Sequence, residues 1–126
     1  MKIGKKELRT MRDDLEKLTE FIRETEKGHL PYFYRCFDTM KNNIEIFFCV
    51  GNDEDDIDDF LPVLERDWEA SHMMLIGVQD YDLRDNNPDI DPRMCVYFAA
   101  LIASVAKYFE NDPSADWRHV EHAVTG

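Results

Sequence analysis

The chain has no apolar run that approaches the roughly 20 residues needed to cross a bilayer. Residues 1–7 also lack the apolar stretch of a secretory signal peptide. These absences predict a protein that is outside membranes and stays in the cytoplasm. Cysteine is scarce as well: Cys36, Cys49 and Cys95 are an odd number, and none belongs to a Cys-x-x-Cys pair. We therefore expect three reduced thiols in the core, as in a reducing compartment.

Basic residues are also few compared with acidic ones. The 126 residues include 15 Lys and Arg against 27 Asp and Glu, which gives a formal net charge of -12. A field of this sign repels nucleic-acid phosphates and anionic lipids, and it attracts basic surfaces. The composition therefore disfavours direct nucleic-acid binding and favours a basic protein partner. The length and the hydrophobic content of 44% suffice for one domain with one core.

Recognisable catalytic motifs are missing from the sequence. It has no glycine-rich phosphate loop, no Gly-x-Ser-x-Gly turn and no Cys–His pair at a known spacing. His119 and His122 are one helical turn apart, but no third metal ligand follows at a recognisable spacing. We expect surface or capping roles for these two histidines and for His29 and His72. The sequence thus predicts a protein that is not an enzyme and has no catalytic residues, metal site or cofactor.

Apolar residues recur every three or four positions, which is the spacing of helices with one buried face. This spacing predicts an all-α fold, a single-domain antiparallel bundle of four to five helices. The predicted helices cover about 5–27, 31–50, 56–74, 93–110 and 113–123.

Several features refine this arrangement. Gly28 and Gly51 are expected just after the first two helices. Residues 46–50 are apolar all round, so we expect them to be covered on several sides. The missing N–H of Pro62 predicts a place in the first turn of the third helix. The fourth helix, rich in small and apolar residues, is expected to pack against the second.

Carboxylates concentrate in two segments, a run ahead of the third helix and the loop 76–92. The run lacks the central glycine of a calcium-binding EF-hand loop. A solvated helix start, a divalent-metal site and a surface for a basic partner all remain open. If the segments bind a partner, the contact residues are Asp53, Glu54, Asp55, Asp56, Asp58, Asp59, Asp80, Tyr81, Asp82 and Asp85. Tyr32 and Tyr34 lie off the apolar stripe and Tyr81 lies among aspartates. Exposed tyrosines beside carboxylates are typical of protein interfaces.

A second class of function also has to be weighed. Helical phosphohydrolases that act on nucleotides hold magnesium between paired carboxylates on inner helix faces. The available pairs are Glu20 with Glu24, Asp55 with Asp58, and Asp56 with Asp59. The two glutamates lie off the apolar stripe of their helix and the aspartates precede the third helix, so all of them are expected to face water. A magnesium-dependent nucleotide hydrolase remains the alternative, beside a helical interaction subunit unrelated to toxins.

Four segments carry a family resemblance. They are YFYRCF at 32–37, VGND at 50–53, FLPVLERDW at 60–68 and YFAALIASVA at 97–106. Together they resemble the helical immunity proteins of bacterial polymorphic toxin systems, in particular the PoNi type. The resemblance implies an acidic helical protein that binds the toxin domain of a delivered effector, often a DNase, and blocks it. A basic nuclease domain is then the expected partner.

Overall fold

The computed structural model describes residues 3–26, 29–72, 81–85 and 87–109. Within these ranges all regular structure is helical, which confirms the predicted all-α bundle. The helices are α1, Lys5–Thr25; α2, Tyr32–Cys49; α3, Glu54–Ala70; and α4, Pro92–Ala106, with a short 3₁₀ turn at Leu83–Asp85. The fifth helix predicted at 113–123 lies outside the described residues.

Helix α1 packs between two neighbours, α2 and α4, and offers apolar side chains to both. Its buried stripe follows the predicted spacing, with Leu8, Met11, Leu15, Leu18 and Ile22. Phe21 is also buried, and its ring lies 5.4 Å from the ring of Tyr97 and 5.7 Å from that of Phe98. Helix α4 therefore packs mainly on α1, and the expected packing of α4 on α2 was wrong. Phe98 also reaches α2, where its ring centroid lies 6.3 Å from that of Phe33.

The turn between α2 and α3 is as tight as the sequence predicted. Gly51 has a φ of 79°, a left-handed conformation that glycine adopts without steric cost, and its N–H donates to the Phe48 carbonyl at 3.2 Å. Asp53 then accepts a hydrogen bond from the backbone N–H of Asp55 and caps α3. The turn is short, so α2 and α3 are antiparallel neighbours.

Pro62 does not lie in the first turn of α3, as we expected. The helix begins at Glu54, two residues earlier than predicted, which puts Pro62 in its third turn. Proline has no N–H there for the carbonyl of Asp58, so one helical hydrogen bond is missing. Both side chains are exposed, so this side of the helix meets water, which can solvate the freed carbonyl.

The helices alternate in direction, and side-chain contacts define the two ends of the bundle. At one end the backbone N–H of Lys5 donates to Oε1 of Glu54 at 3.2 Å, so α1 and α3 begin side by side where α2 stops. We call this the acidic end. At the other end Nδ2 of Asn87 donates to Oε1 of Glu26 at 2.7 Å, which ties the loop before α4 to the end of α1. We call this the loop end.

Trp68 closes the core between α2, α3 and the residues after α4. Its side chain has no exposed surface, and its ring stacks on Phe109 with 4.7 Å between centroids. Phe37 of α2 packs on the same indole, with 6.0 Å between the rings. Since aromatic rings remove large apolar areas from water, this cluster holds elements that are distant in the sequence.

The position of Pro62 gives a testable prediction. Pro62→Ala restores the missing helical hydrogen bond at an exposed site, so we expect the free energy of unfolding to rise by about 1–2 kcal/mol. Thermal and urea unfolding followed by circular dichroism measure it. Glu69→Ala, on the exposed side of the same helix, is the control and should have little effect. A less stable Pro62→Ala variant would show that the packing of α3 needs the proline.

Candidate functional site

The two acidic segments of the sequence lie at opposite ends of the bundle. The run 53–59 forms the acidic end, whereas residues 81–91 belong to the loop end. Helix α1 connects the two ends with 21 residues, a length of about 30 Å at 1.5 Å per residue. A single partner would have to lie along the whole bundle to contact both, so each end is considered on its own.

Half of the carboxylates in the run 53–59 have structural roles. The carboxylate of Asp53 accepts from the N–H of Asp55 at 3.1 Å, and that of Asp56 accepts from the N–H of Asp53 at 2.9 Å. Glu54 accepts from the backbone N–H of Lys5, so the first residue of α3 caps the start of α1. These bonds satisfy backbone donors that every helix N-terminus leaves open. Helix capping therefore accounts for Asp53, Glu54 and Asp56.

The other three carboxylates, of Asp55, Asp58 and Asp59, have no such role. They are three and four residues apart, so they share the outer face of α3, opposite the buried Ile57. All three are exposed, and in the described part of the chain their carboxylates form no ion pair or hydrogen bond. Three negative charges on one helix face repel each other. Because no cation of the described structure neutralises them, they can pair with a cation of a binding partner. We call these residues the acidic triad.

The loop end carries less free charge than the sequence suggested. Asp82 accepts hydrogen bonds from the backbone N–H and from Nε of Arg84, at 2.9 and 3.1 Å. These bonds hold the pKa of Asp82 below its usual value. Asp91 caps α4 and forms the same arrangement with Arg93, whose Nη2 lies 2.7 Å from its carboxylate. The pKa of Asp91 is likewise lowered by Arg93.

The remaining predicted contact residues of the loop differ in how exposed they are. Asp85 is exposed, in agreement with the expectation, and Asp80 lies outside the described residues. Tyr81 is partly buried, which corrects the expectation of an exposed ring. Its ring packs edge-on against Phe33 with 5.0 Å between centroids, because the start of α2 offers an apolar surface at that point. Tyr81 is therefore largely part of the core, and the loop end offers a poorer binding surface than the acidic end.

The end of α2 is more exposed than its sequence predicted. The exposed fraction of the side chain is 58% for Ile46 and 66% for Val50, whereas Phe47 between them is buried against Phe60. A helix buries only the faces that meet neighbours, and α2 has α1 and α3 on two sides and water on the third. Five consecutive apolar residues exceed what one buried face can hold, and this was the signal in the sequence. The expected cover over residues 46–50 was wrong.

Cys49 shares this exposure, and the expectation of three core thiols was wrong for it. Cys36 and Cys95 are buried, and burial raises the pKa of each thiol. A raised pKa lowers the fraction of the nucleophilic thiolate. Neither buried cysteine therefore has the electrostatic setting of a catalytic nucleophile.

A polar cluster that the sequence did not predict lies between α2 and α3 near the loop end. It contains Cys36 and Asp67, and burial raises the pKa of the Asp67 carboxylate, with Arg66 acting in the opposite direction. His72 is also buried, and its Nδ1 lies 2.8 Å from the Ser71 hydroxyl and 3.0 Å from the Trp68 carbonyl. This histidine has the expected capping role, since that carbonyl belongs to the last turn of α3.

The remaining expectations concern metals and membranes. Glu20 and Glu24 are exposed, as expected. Within the residues that the structure describes, no group of three or more His, Cys, Asp or Glu side chains is placed to hold a metal ion. No helix in that part of the chain has the length and apolar character to cross a membrane. His119 and His122 are outside the described residues.

Comparison with known proteins identifies no relative of this chain. No protein-family model, no curated protein and no solved structure matches this chain. The resemblance to helical immunity proteins therefore stays a prediction, and a functional assignment depends on the acidic end itself.

The cysteines give a direct test of this description of the surface. Cys49 is expected to react with a thiol reagent at least about tenfold faster than Cys36 or Cys95, because the other two thiols are buried. Reaction with iodoacetamide, followed by peptide mass spectrometry, measures the three rates. Cys49→Ser is the control and should remove the fast phase alone. Early modification of Cys36 or Cys95 would contradict the burial described here.

Asp67 gives a prediction about pH. Its pKa is raised in the folded state, so protonated Asp67 stabilises the fold below the ordinary aspartate pKa of 3.8, and this contribution is lost as the pH rises through the higher folded value. The charged carboxylate is thus unfavourable at neutral pH. We expect Asp67→Asn to unfold at a higher temperature than the wild type at pH 7, with the difference shrinking toward pH 4.

Calorimetry across this pH range measures the difference. Glu69→Gln removes a charge from the exposed side of the same helix and should change the melting temperature little at any pH. A constant difference between Asp67→Asn and the wild type would mean that charge burial is not the cause.

Proposed function

We propose that this protein binds a basic protein domain at its acidic end and acts as an immunity protein that neutralises a bacterial toxin, with a basic nuclease effector domain as the expected target. The acidic triad is the observation that carries the binding proposal: Asp55, Asp58 and Asp59 are exposed on one face and have no cation of their own in the described structure. The immunity role rests in addition on the resemblance of the sequence segments.

The physics of inhibition fits this surface. A nuclease needs a cationic surface to hold the phosphates of its substrate, and an acidic protein competes for that same surface. The net charge of -12 adds a long-range attraction that speeds association at low ionic strength. Local charges then decide which face docks, because interactions between exposed charges fade beyond about 10 Å at 0.1 M salt.

The loop end contributes less to this proposal. The carboxylates of Asp82 and Asp91 are held by Arg84 and Arg93, so they are partly neutralised before any partner arrives. A partner's lysine or arginine would have to compete with these short local pairs. The acidic triad has no such competitor among the described residues, so it is the stronger candidate.

The first experiment identifies the partner. The tagged protein is purified from its native host at moderate salt, and the retained proteins are identified by mass spectrometry. Stoichiometric recovery of a basic effector domain, together with rescue of cells that express that domain, would support the immunity role. Recovery of a stable partner that is no toxin would support a helical interaction subunit instead.

The second experiment tests the surface with charge-matched variants. The variant Asp55→Asn, Asp58→Asn and Asp59→Asn should slow association with the recovered partner by about tenfold at low salt, because it removes local charge at the docking face. The control Glu20→Gln, Glu24→Gln and Asp89→Asn removes the same charge from exposed positions toward the loop end. Stopped-flow kinetics at two salt concentrations measure both variants. Equal rates for the two variants would contradict the assignment to the triad.

A further inference from the structure

The outer side of α2 at the acidic end carries an exposed apolar pair. Ile46 and Val50 are four residues apart, so they stand one above the other on the same helix face. Their exposed fractions of 58% and 66% are the largest among the big apolar side chains in the described part of the chain. Single exposed apolar residues are ordinary on protein surfaces. The charges around this pair indicate what kind of partner could cover it, which exposure alone does not.

One flank of the pair is strongly negative. Val50 precedes Asp53 by three residues, so the two Cα atoms are at most about 11 Å apart along the chain. Phe47, next to the pair, stacks on Phe60 of α3 with 4.8 Å between ring centroids, so the two helices touch here. The run 53–59 starts with Asp53, so it brings negative charge to the α3 side of the pair.

The opposite flank, toward α1, has its charges balanced. Arg12 binds Glu45 at 2.8 Å and Glu16 at 2.6 Å, and the guanidinium of Arg9 lies over the Phe48 ring at 4.7 Å. These cations already have partners within the protein. The surface around the apolar pair is thus neutral on one side and anionic on the other.

We propose that Ile46 and Val50 form the apolar centre of the binding surface and that the occupant is a basic amphipathic helix of the partner protein. Its apolar stripe covers the pair, and its lysines and arginines lie along the α3 side, opposite the carboxylates of the run 53–59. This proposal rests on the proposed function, because it names the element of the partner that the acidic end receives. An apolar centre with a charged rim is the usual composition of a protein interface.

Charge and shape favour this occupant over others. A second copy would bring two anionic flanks together, and each chain has a net charge of -12. The described residues contain no strand, so they offer no sheet edge for an extended peptide to join. A helix laid along the outer side of α2 needs only side-chain contacts. Its apolar face matches the pair, and its basic face matches the anionic flank.

The test uses a synthetic helical peptide of leucine and lysine as the probe, since it has the proposed chemistry. The control peptide replaces each leucine by serine and keeps the charge. At about 0.15 M salt, where surface charges are well screened, calorimetry should show tighter binding of the leucine peptide. The same peptide should slow the alkylation of Cys49 several-fold, because this thiol borders Val50, and should leave the rate at Cys95 unchanged.

Matched variants locate the binding. Ile46→Ser with Val50→Ser should weaken the leucine peptide by about tenfold or more, since each lost apolar contact reduces burial. Leu30→Ser with Val96→Ser changes two other exposed apolar residues, with exposed fractions of 50% and 45%, and should not weaken binding. Circular dichroism of both double variants should match the wild type, because all four side chains lie in water.

The outcomes separate this inference from the proposed function. Loss of peptide binding in the Ile46 and Val50 variant supports the apolar centre even if no toxin is recovered from the host. Unchanged peptide binding in that variant, or an unprotected Cys49, overturns the apolar centre. It does so even if a basic toxin is recovered and depends on the triad.

Discussion

The side-by-side start of α1 and α3 is the constraint on which the acidic end depends. Helix N-termini carry partial positive charge and unsatisfied N–H groups, and two of them meet here. Glu7 accepts from Gly4, Asp56 accepts from Asp53, and Glu54 crosses from α3 to the backbone of Lys5. The parallel direction of these two helices thus favours carboxylates at this end, whatever the protein binds.

The acidic run has more carboxylates than this constraint uses. Capping explains three of them, and the remaining triad adds repulsion without a compensating cation in the described structure. Residues that burden stability without helping the fold are often kept for function. At the loop end, by contrast, Asp82 and Asp91 are each matched by an arginine two residues later. The same residue type therefore has different meanings at the two ends, and only the contacts separate them.

The sequence predicted what depends on local periodicity and missed what depends on neighbours. The stripe of α1 and the turn at Gly51 follow from spacing and residue type, and both were found. Whether Ile46 or Tyr81 is covered depends on which helices lie beside them, and the sequence does not state this. For the candidate site, the sequence named the acidic run that contains the triad, but it took the exposed pair Ile46 and Val50 for core.

The position of α1 between α2 and α4 also affects folding during synthesis on the ribosome. The hydroxyl of Tyr108, just after α4, donates a hydrogen bond of 2.9 Å to the carboxylate of Asp14 in α1. The two residues are 94 positions apart in the sequence. The hairpin of α1 and α2 needs only nearby residues, so it can form early in synthesis. The side of α1 that carries Phe21 is covered by α4, and α4 leaves the ribosome tens of residues after α1. During that interval a nascent chain has an open apolar strip, and chaperones recognise such surfaces.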